Sequence, residues 1–137
     1  MKSIQTVACI CLFSAFAFGQ TESDLLAKYE KDAKANPRNS ITHFRIGEIY
    51  LQQGVYQSAA NAFREALNGD LEPKWIEVWS HVNLGKIFDL TGQRERAENE
   101  YTQAQRTKDN TRGALDEAAM YMQIPYPQKM HSTAQPK

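Results

Sequence analysis

The chain has 137 residues, room for one domain and for a modest core. Its 16 basic and 16 acidic side chains balance, so no net field argues for nucleic acid or for an anionic membrane surface. The two cysteines, Cys9 and Cys11, both sit in the first apolar stretch, which excludes a disulfide framework or thiolate metal site downstream of it.

Met1-Lys2-Ser3 begins the chain, an apolar-biased run extends from Ile4 to Phe18, and Ala17-Phe18-Gly19-Gln20 follows. A cationic start, a short apolar core and small residues at positions 17 and 19 predict a secretory signal peptide over 1–19, cut after Gly19. The run is short of the roughly 20 residues that span a bilayer, so an uncleaved anchor is the alternative. Thr6-Val7-Ala8-Cys9 lacks the leucine and the preceding apolar core of a lipidation site. Cleavage leaves one more acid than base and predicts an exported protein, periplasmic or secreted.

Beyond the signal, Tyr29, Ala33 and Asn36-Pro37 mark the end of a helix over 22–35, with Thr21 and Asp24 available to cap its start. Two segments related by 38 positions come next. His43, Ile46, Gly47, Tyr50, Gly54, Ala59, Phe63 and Ala66 in the first align with His81, Leu84, Gly85, Phe88, Gly92, Ala97, Tyr101 and Ala104 in the second. Gly47 and Gly85 fall inside helices, where glycine costs about 1 kcal/mol against alanine. Close approach of a partner helix compensates, with Ala59 and Ala97 as the expected small surface opposite. Gly54 and Gly92 permit the turns, and the aromatic pairs Tyr50 with Phe63 and Phe88 with Tyr101 fill the space between helices.

This pattern resembles the tetratricopeptide repeat over residues 40–73 and 78–108. The resemblance implies an all-α fold, a short α-solenoid of antiparallel helical hairpins with about six helices after the signal peptide. Its parts are a half-repeat at 22–37, repeats at 40–73 and 74–108, a capping helix at 111–123 begun by Asn110 or Thr111, and a disordered tail at 124–137 in which Tyr126 has the option of docking back. The 38-residue spacing exceeds the usual length of about 34 by roughly one helical turn. Pro73-Lys74-Trp75-Ile76 is where the extra turn falls, so the fourth helix is expected from about Lys74 to Leu90.

No catalytic constellation accompanies this scaffold. His43 and His81 are equivalent repeat positions, His131 lies in the tail, and no His-x-x-x-His, Cys-x-x-Cys, Gly-x-Ser-x-Gly or phosphate-loop spacing is present. Glu48 and Asp89 read as solvated carboxylates rather than an acid–base pair. No cofactor, metal or enzymatic activity is expected.

The family's concave surface, carried onto this sequence, comprises Ile41, Phe44, Glu48, Leu51 and Gln52 with Trp79, Val82, Lys86, Asp89 and Leu90. Partner-binding candidates are therefore Trp75, Trp79, Val82, Lys86, Asp89, Phe44 and Glu48, with the two tryptophans favoured because the 22–35 helix is placed to cover Ile41 and Phe44. A clamp for a peptide carboxylate is not expected, since Phe44, Glu48 and Val82 stand where its polar residues belong. The resulting expectation is a non-catalytic scaffold that binds a protein or peptide at the cell envelope. An accessory module of a larger secreted hydrolase and a self-associating structural protein are the alternatives.

Overall fold

A computed structural model describes residues 11–127, with side chains from residue 21 onward. The described residues form six α-helices: α1 (Cys11–Ala35), α2 (Ser40–Gln52), α3 (Tyr56–Leu67), α4 (Trp75–Leu90), α5 (Arg94–Thr107) and α6 (Ala114–Gln123), with a 3-10 turn at Thr111–Gly113. Each helix packs on the next, and α4 also touches α2 and α6. The all-α hairpin stack expected from the repeat is the fold observed.

The helix expected at 22–35 does not begin at Thr21. It is the second part of α1, which runs unbroken from Cys11. The segment holds no proline, and a single internal glycine costs only about 1 kcal/mol, too little to end a helix. Residues 1–10 of the expected signal lie outside the described residues. Glu22, Leu26, Tyr29 and Ala33 are the half-buried positions of α1, spaced on one helical face that packs on α2. Tyr50 reaches back from α2 and donates to Glu30 Oε1 at 2.9 Å.

Asn39 starts α2, its Oδ1 accepting from the Thr42 amide at 3.1 Å. The turns closing α2 and α4 are copies of one another. Gly54 and Gly92 both have φ of 73°, and the next residues, Val55 and Gln93, donate to Tyr50 O and Phe88 O. A glycine in that left-handed conformation is the standard end of a helix.

Gly47 and Gly85 mark the tightest approach within each hairpin, but what lies over them differs from expectation. A Cβ on Gly47 would sit 2.8 Å from the Phe63 ring, and one on Gly85 would be closer still to Tyr101. The aromatic rings, rather than Ala59 and Ala97, cover the glycines. Those alanines, fully buried, fill the adjoining interface.

The extra turn falls where it was expected, with α4 beginning at Trp75. Ahead of it, the loop at 68–74 is stitched to the start of α2. Ser40 N donates to Asp70 Oδ1 at 3.2 Å, and Ser40 Oγ accepts from Leu71 N at 2.9 Å. Amides of Glu72 and Ser40 hold the Asp70 carboxyl below its ordinary range. With α2, α3, α5 and α6 around it, α4 buries Ile76, Val78, Ser80, Val82, Leu84, Ile87 and Phe88 on all sides, the pattern of a central helix.

Past α5, Lys108 and Arg112 both take left-handed φ of 58°. The last helix consequently starts at Ala114, three residues later than expected, and Asn110 Oδ1 accepts from the Leu115 amide at 2.9 Å. Ile124 is extended, as a residue before proline prefers. The tail expected from 124 is described as far as 127. Within that span Tyr126 donates its backbone N–H to Asp89 Oδ2 at 2.8 Å and rests its ring on Tyr121.

Candidate functional site

The concave side of the α2–α4 pair holds a cavity of about 410 Å³. Arg45 and Glu48 come from α2, Trp75, Trp79, Asn83 and Lys86 from α4, and Arg112 from the 3-10 turn, with Phe44 at the base. On α4 the lining positions 75, 79, 83 and 86 keep one helical face. Among residues 21–35 of α1, whose side chains are described, none lines this groove, and Glu30 meets Tyr50 of α2 instead.

Trp75 and Trp79, chosen from the sequence, are both here and both half-buried. Trp75 packs edge-on against Phe44 at 5.2 Å and lies between two guanidinium groups, Arg45 at 6.0 Å and Arg112 at 5.5 Å from its centroid. Trp79 donates its indole N–H to Thr111 O at 3.0 Å, so the 3-10 turn that presents Arg112 is fastened to α4. Glu48 is present as expected, ion-paired with Arg45 at 2.6 Å.

Three other sequence candidates do not offer a surface. Phe44 and Val82 are 2% and 0% exposed: Phe44 forms the floor of the groove, packed on Phe63 and Trp75, and Val82 is enclosed in the core. Asp89, read as a solvated carboxylate, is 6% exposed. It accepts from the Tyr101 hydroxyl at 2.9 Å, from Arg94 at 3.0 Å and from the Tyr126 amide. This is a structural hub joining α4, α5 and the residues after α6. Burial, reinforced by the adjacent carboxylate, raises the Tyr101 pKa far above the ordinary phenol value.

Lys86 borders the groove but is already occupied. It pairs with Glu117 of α6 and lies 5.4 to 5.6 Å from the rings of Trp79, Tyr121 and Tyr126. Burial, followed by the nearby Glu117 charge, lifts Tyr121 to about 12. Two polar groups therefore remain for a ligand. Asn83, 8% exposed, makes no side-chain hydrogen bond among the described residues, and Arg112 has no carboxylate partner among them.

Arg45, Asn83 and Arg112 were missed by the sequence reading. The first two lie one helical position from chosen residues, and the 79, 83, 86 spacing was a sufficient signal for Asn83. Arg112 had none, because its place depends on a left-handed turn.

His43 and His81, expected to pack, make polar contacts between elements. His43 Nε2 lies 2.9 Å from Pro37 O and His81 Nδ1 2.8 Å from Glu100 Oε2. Among the described residues, no group of three or more His, Cys, Asp or Glu is placed to hold a metal ion, and no helix is long and apolar enough to cross a membrane.

Antiparallel hairpins stacked around a central helix, with an open groove on one face, define a helical-repeat fold. The family model for the tetratricopeptide repeat matches residues 42–74, from the first turn of α2 to the residue before α4. Residues 42–74 thus carry a tetratricopeptide repeat, and the second hairpin, α4–α5, repeats the first at a spacing of 38. Repeats of this kind generally mediate protein–protein contact and are typically non-catalytic. No curated protein matches the chain.

Proposed function

We propose that this protein is a non-catalytic adaptor that holds an extended segment of a partner protein in the α2–α4 groove, outside the cytoplasm. One observation carries the reading. An open groove with two half-buried tryptophans also contains, among the described residues, an amide that makes no side-chain hydrogen bond and a guanidinium with no carboxylate partner, Asn83 and Arg112. An amide that makes no hydrogen bond within the protein keeps its donors and acceptor for a bound backbone or side-chain group. Half-buried tryptophan beside arginine is also the composition of binding hot spots.

The backbone at Arg112 supports the same reading. A non-glycine residue held left-handed costs on the order of 1 kcal/mol, and such strain collects at functional positions. Here it places a cation over Trp75. The signal-like start of the chain supports an extracytoplasmic location. Cleavage after Gly19 would leave the 22, 26, 29, 33 face of α1 intact.

The test combines mass analysis of the natively exported chain with affinity capture by the mature protein, alone and as Trp75→Ala and Arg112→Gly. Glycine accepts the left-handed φ, so Arg112→Gly is expected to keep helix content and stability while losing the partner about tenfold or more. Retention of every partner by both variants would reject the groove. A mature chain beginning at Met1 would reject export by cleavage.

A further inference from the structure

Away from the groove, and sharing no residue with it, a second cavity of about 190 Å³ opens between α3, the C-terminal half of α4 and the start of α5. Arg64 and Arg96 line it, with Tyr56, Gln57, Thr91 and Gln93 as neutral polar neighbours and Phe88 at its base. No Asp or Glu is in that lining. In a chain whose bases and acids balance, this is a local excess of two positive charges.

Phe88 holds the two cations together. The guanidinium carbons of Arg96 and Arg64 lie 4.0 and 5.8 Å from its ring centroid. They are thus no more than about 10 Å apart, within the reach of a shared cation–π platform. Phe88 is 3% exposed and fixed in the core.

The acceptors these arginines have found are uncharged. Arg64 donates to Asn61 Oδ1 at 3.1 Å and Arg96 to Gln93 Oε1. Arg45 and Arg94, by contrast, are neutralised by Glu48 and by Asp89 with Glu98. A guanidinium has five N–H donors, so most of the donor capacity of Arg64 and Arg96 is available to a guest.

We propose that this cavity is a binding subsite for a phosphate group, either free or as a monoester of a small molecule. A dianion neutralises both arginines at once, and its terminal oxygens are enough to accept from both forks. A carboxylate carries one charge and two oxygens, so it leaves one cation uncompensated. The cavity is of a size for such a headgroup and is independent of the concave groove.

The experiment is a titration of the full chain, followed by amide NMR, with inorganic phosphate, glycerol phosphate and acetate at constant ionic strength. Saturable shifts of the Gln57, Thr91 and Gln93 amides with both phosphates are expected, with acetate much weaker. Tighter binding of glycerol phosphate identifies an ester as the ligand, and equal or tighter binding of inorganic phosphate identifies the free ion. Each of Arg64→Gln and Arg96→Gln should weaken binding about tenfold or more, the effect of losing a charge-assisted hydrogen bond. Where a glutamine variant loses helix content, the lysine variant decides the matter, because it keeps the stem and charge but lacks the fork. Non-saturable shifts, acetate as strong as phosphate, or folded variants that bind like the wild type would overturn the proposal.

Discussion

The α2–α3 and α4–α5 hairpins share one plan but differ in what lies beneath it. In both, a helix glycine accepts an aromatic ring from the second helix and a left-handed glycine makes the turn. In the first hairpin the ring is Phe63, and Leu51 occupies the position 38 residues before Asp89. The second has Tyr101, whose hydroxyl bonds to that buried carboxylate. A phenol hydroxyl on one side chain and a carboxylate in place of leucine on the other turn a packing contact into a latch, with Arg94 bonding both Asp89 and Met122 O. An interior repeat needs only apolar burial, whereas a terminal repeat must also hold the cap that shields its open edge.

The strongest way to break this comparison is to remove the latch. Asp89→Ala leaves a buried hydroxyl and amide without their acceptor and Arg94 without its main partner, and should cost about 3 kcal/mol. Leu51→Ala, at the equivalent half-buried position, should cost about 1–2 kcal/mol. Chemical denaturation measures both. Hydrogen exchange should show that Asp89→Ala selectively loosens α6, and uniform loosening would remove the distinction between the hairpins.

Gly85→Ala and Gly47→Ala sharpen the comparison at its common feature. Overpacking against a fixed ring outweighs the gain in helix propensity, with losses of about 2–3 kcal/mol at Gly85 and 1–2 at Gly47. Equal or reversed losses in thermal unfolding would show that Tyr101 is no more firmly held than Phe63.

A smaller change is expected with opposite sign. Ser80 is fully buried and its Oγ has no hydrogen-bond partner among the described residues. Ser80→Ala should raise stability by about 1 kcal/mol, because removing an unsatisfied hydroxyl relieves its desolvation. A fall in the unfolding midpoint would reveal a water or partner serving that oxygen.

The pH dependences should separate the two hairpins more gently. Asp70, at the loop joining them, has a lowered pKa, so its contribution is present above the ordinary carboxyl range and is lost as acidification reaches the depressed folded value. Tyr121, on the cap, is raised to about 12. Its contribution is complete below the ordinary phenol pKa of about 10 and disappears as pH rises from there toward the folded value. Asp70→Asn and Tyr121→Phe should flatten the acid and alkaline limbs respectively. Unchanged limbs in stability-versus-pH curves would assign the dependence to other groups.

The site was less legible than the fold. Glu48, Trp79 and Lys86, chosen from repeat positions, and Trp75, chosen as four residues before Trp79 on the same face, do line the groove. Phe44, Val82 and Asp89 were chosen by the same rule but are buried. A helical face read from sequence is correct to about one residue, or 100°, and one residue separates groove from interface on a helix enclosed by four others. Asp89 was misread for another reason. A carboxylate looks solvated until its partners are known, and Tyr101, Arg94 and Tyr126 come from separate elements.

By itself the sequence determined the helices, the hairpin turns, the close helix approach at Gly47 and Gly85 and the extra turn before α4. Each depends on local propensity or on spacing within one repeat, so each is encoded in neighbouring residues. Only the tertiary structure decided that aromatic rings rather than alanines cover Gly47 and Gly85, that residues 21–35 stay out of the groove lining, that Asp89 is a buried latch, and that Arg112 stands over Trp75. Those features need side chains from distant elements to meet in three dimensions, where packing selects one arrangement among several that the local pattern permits.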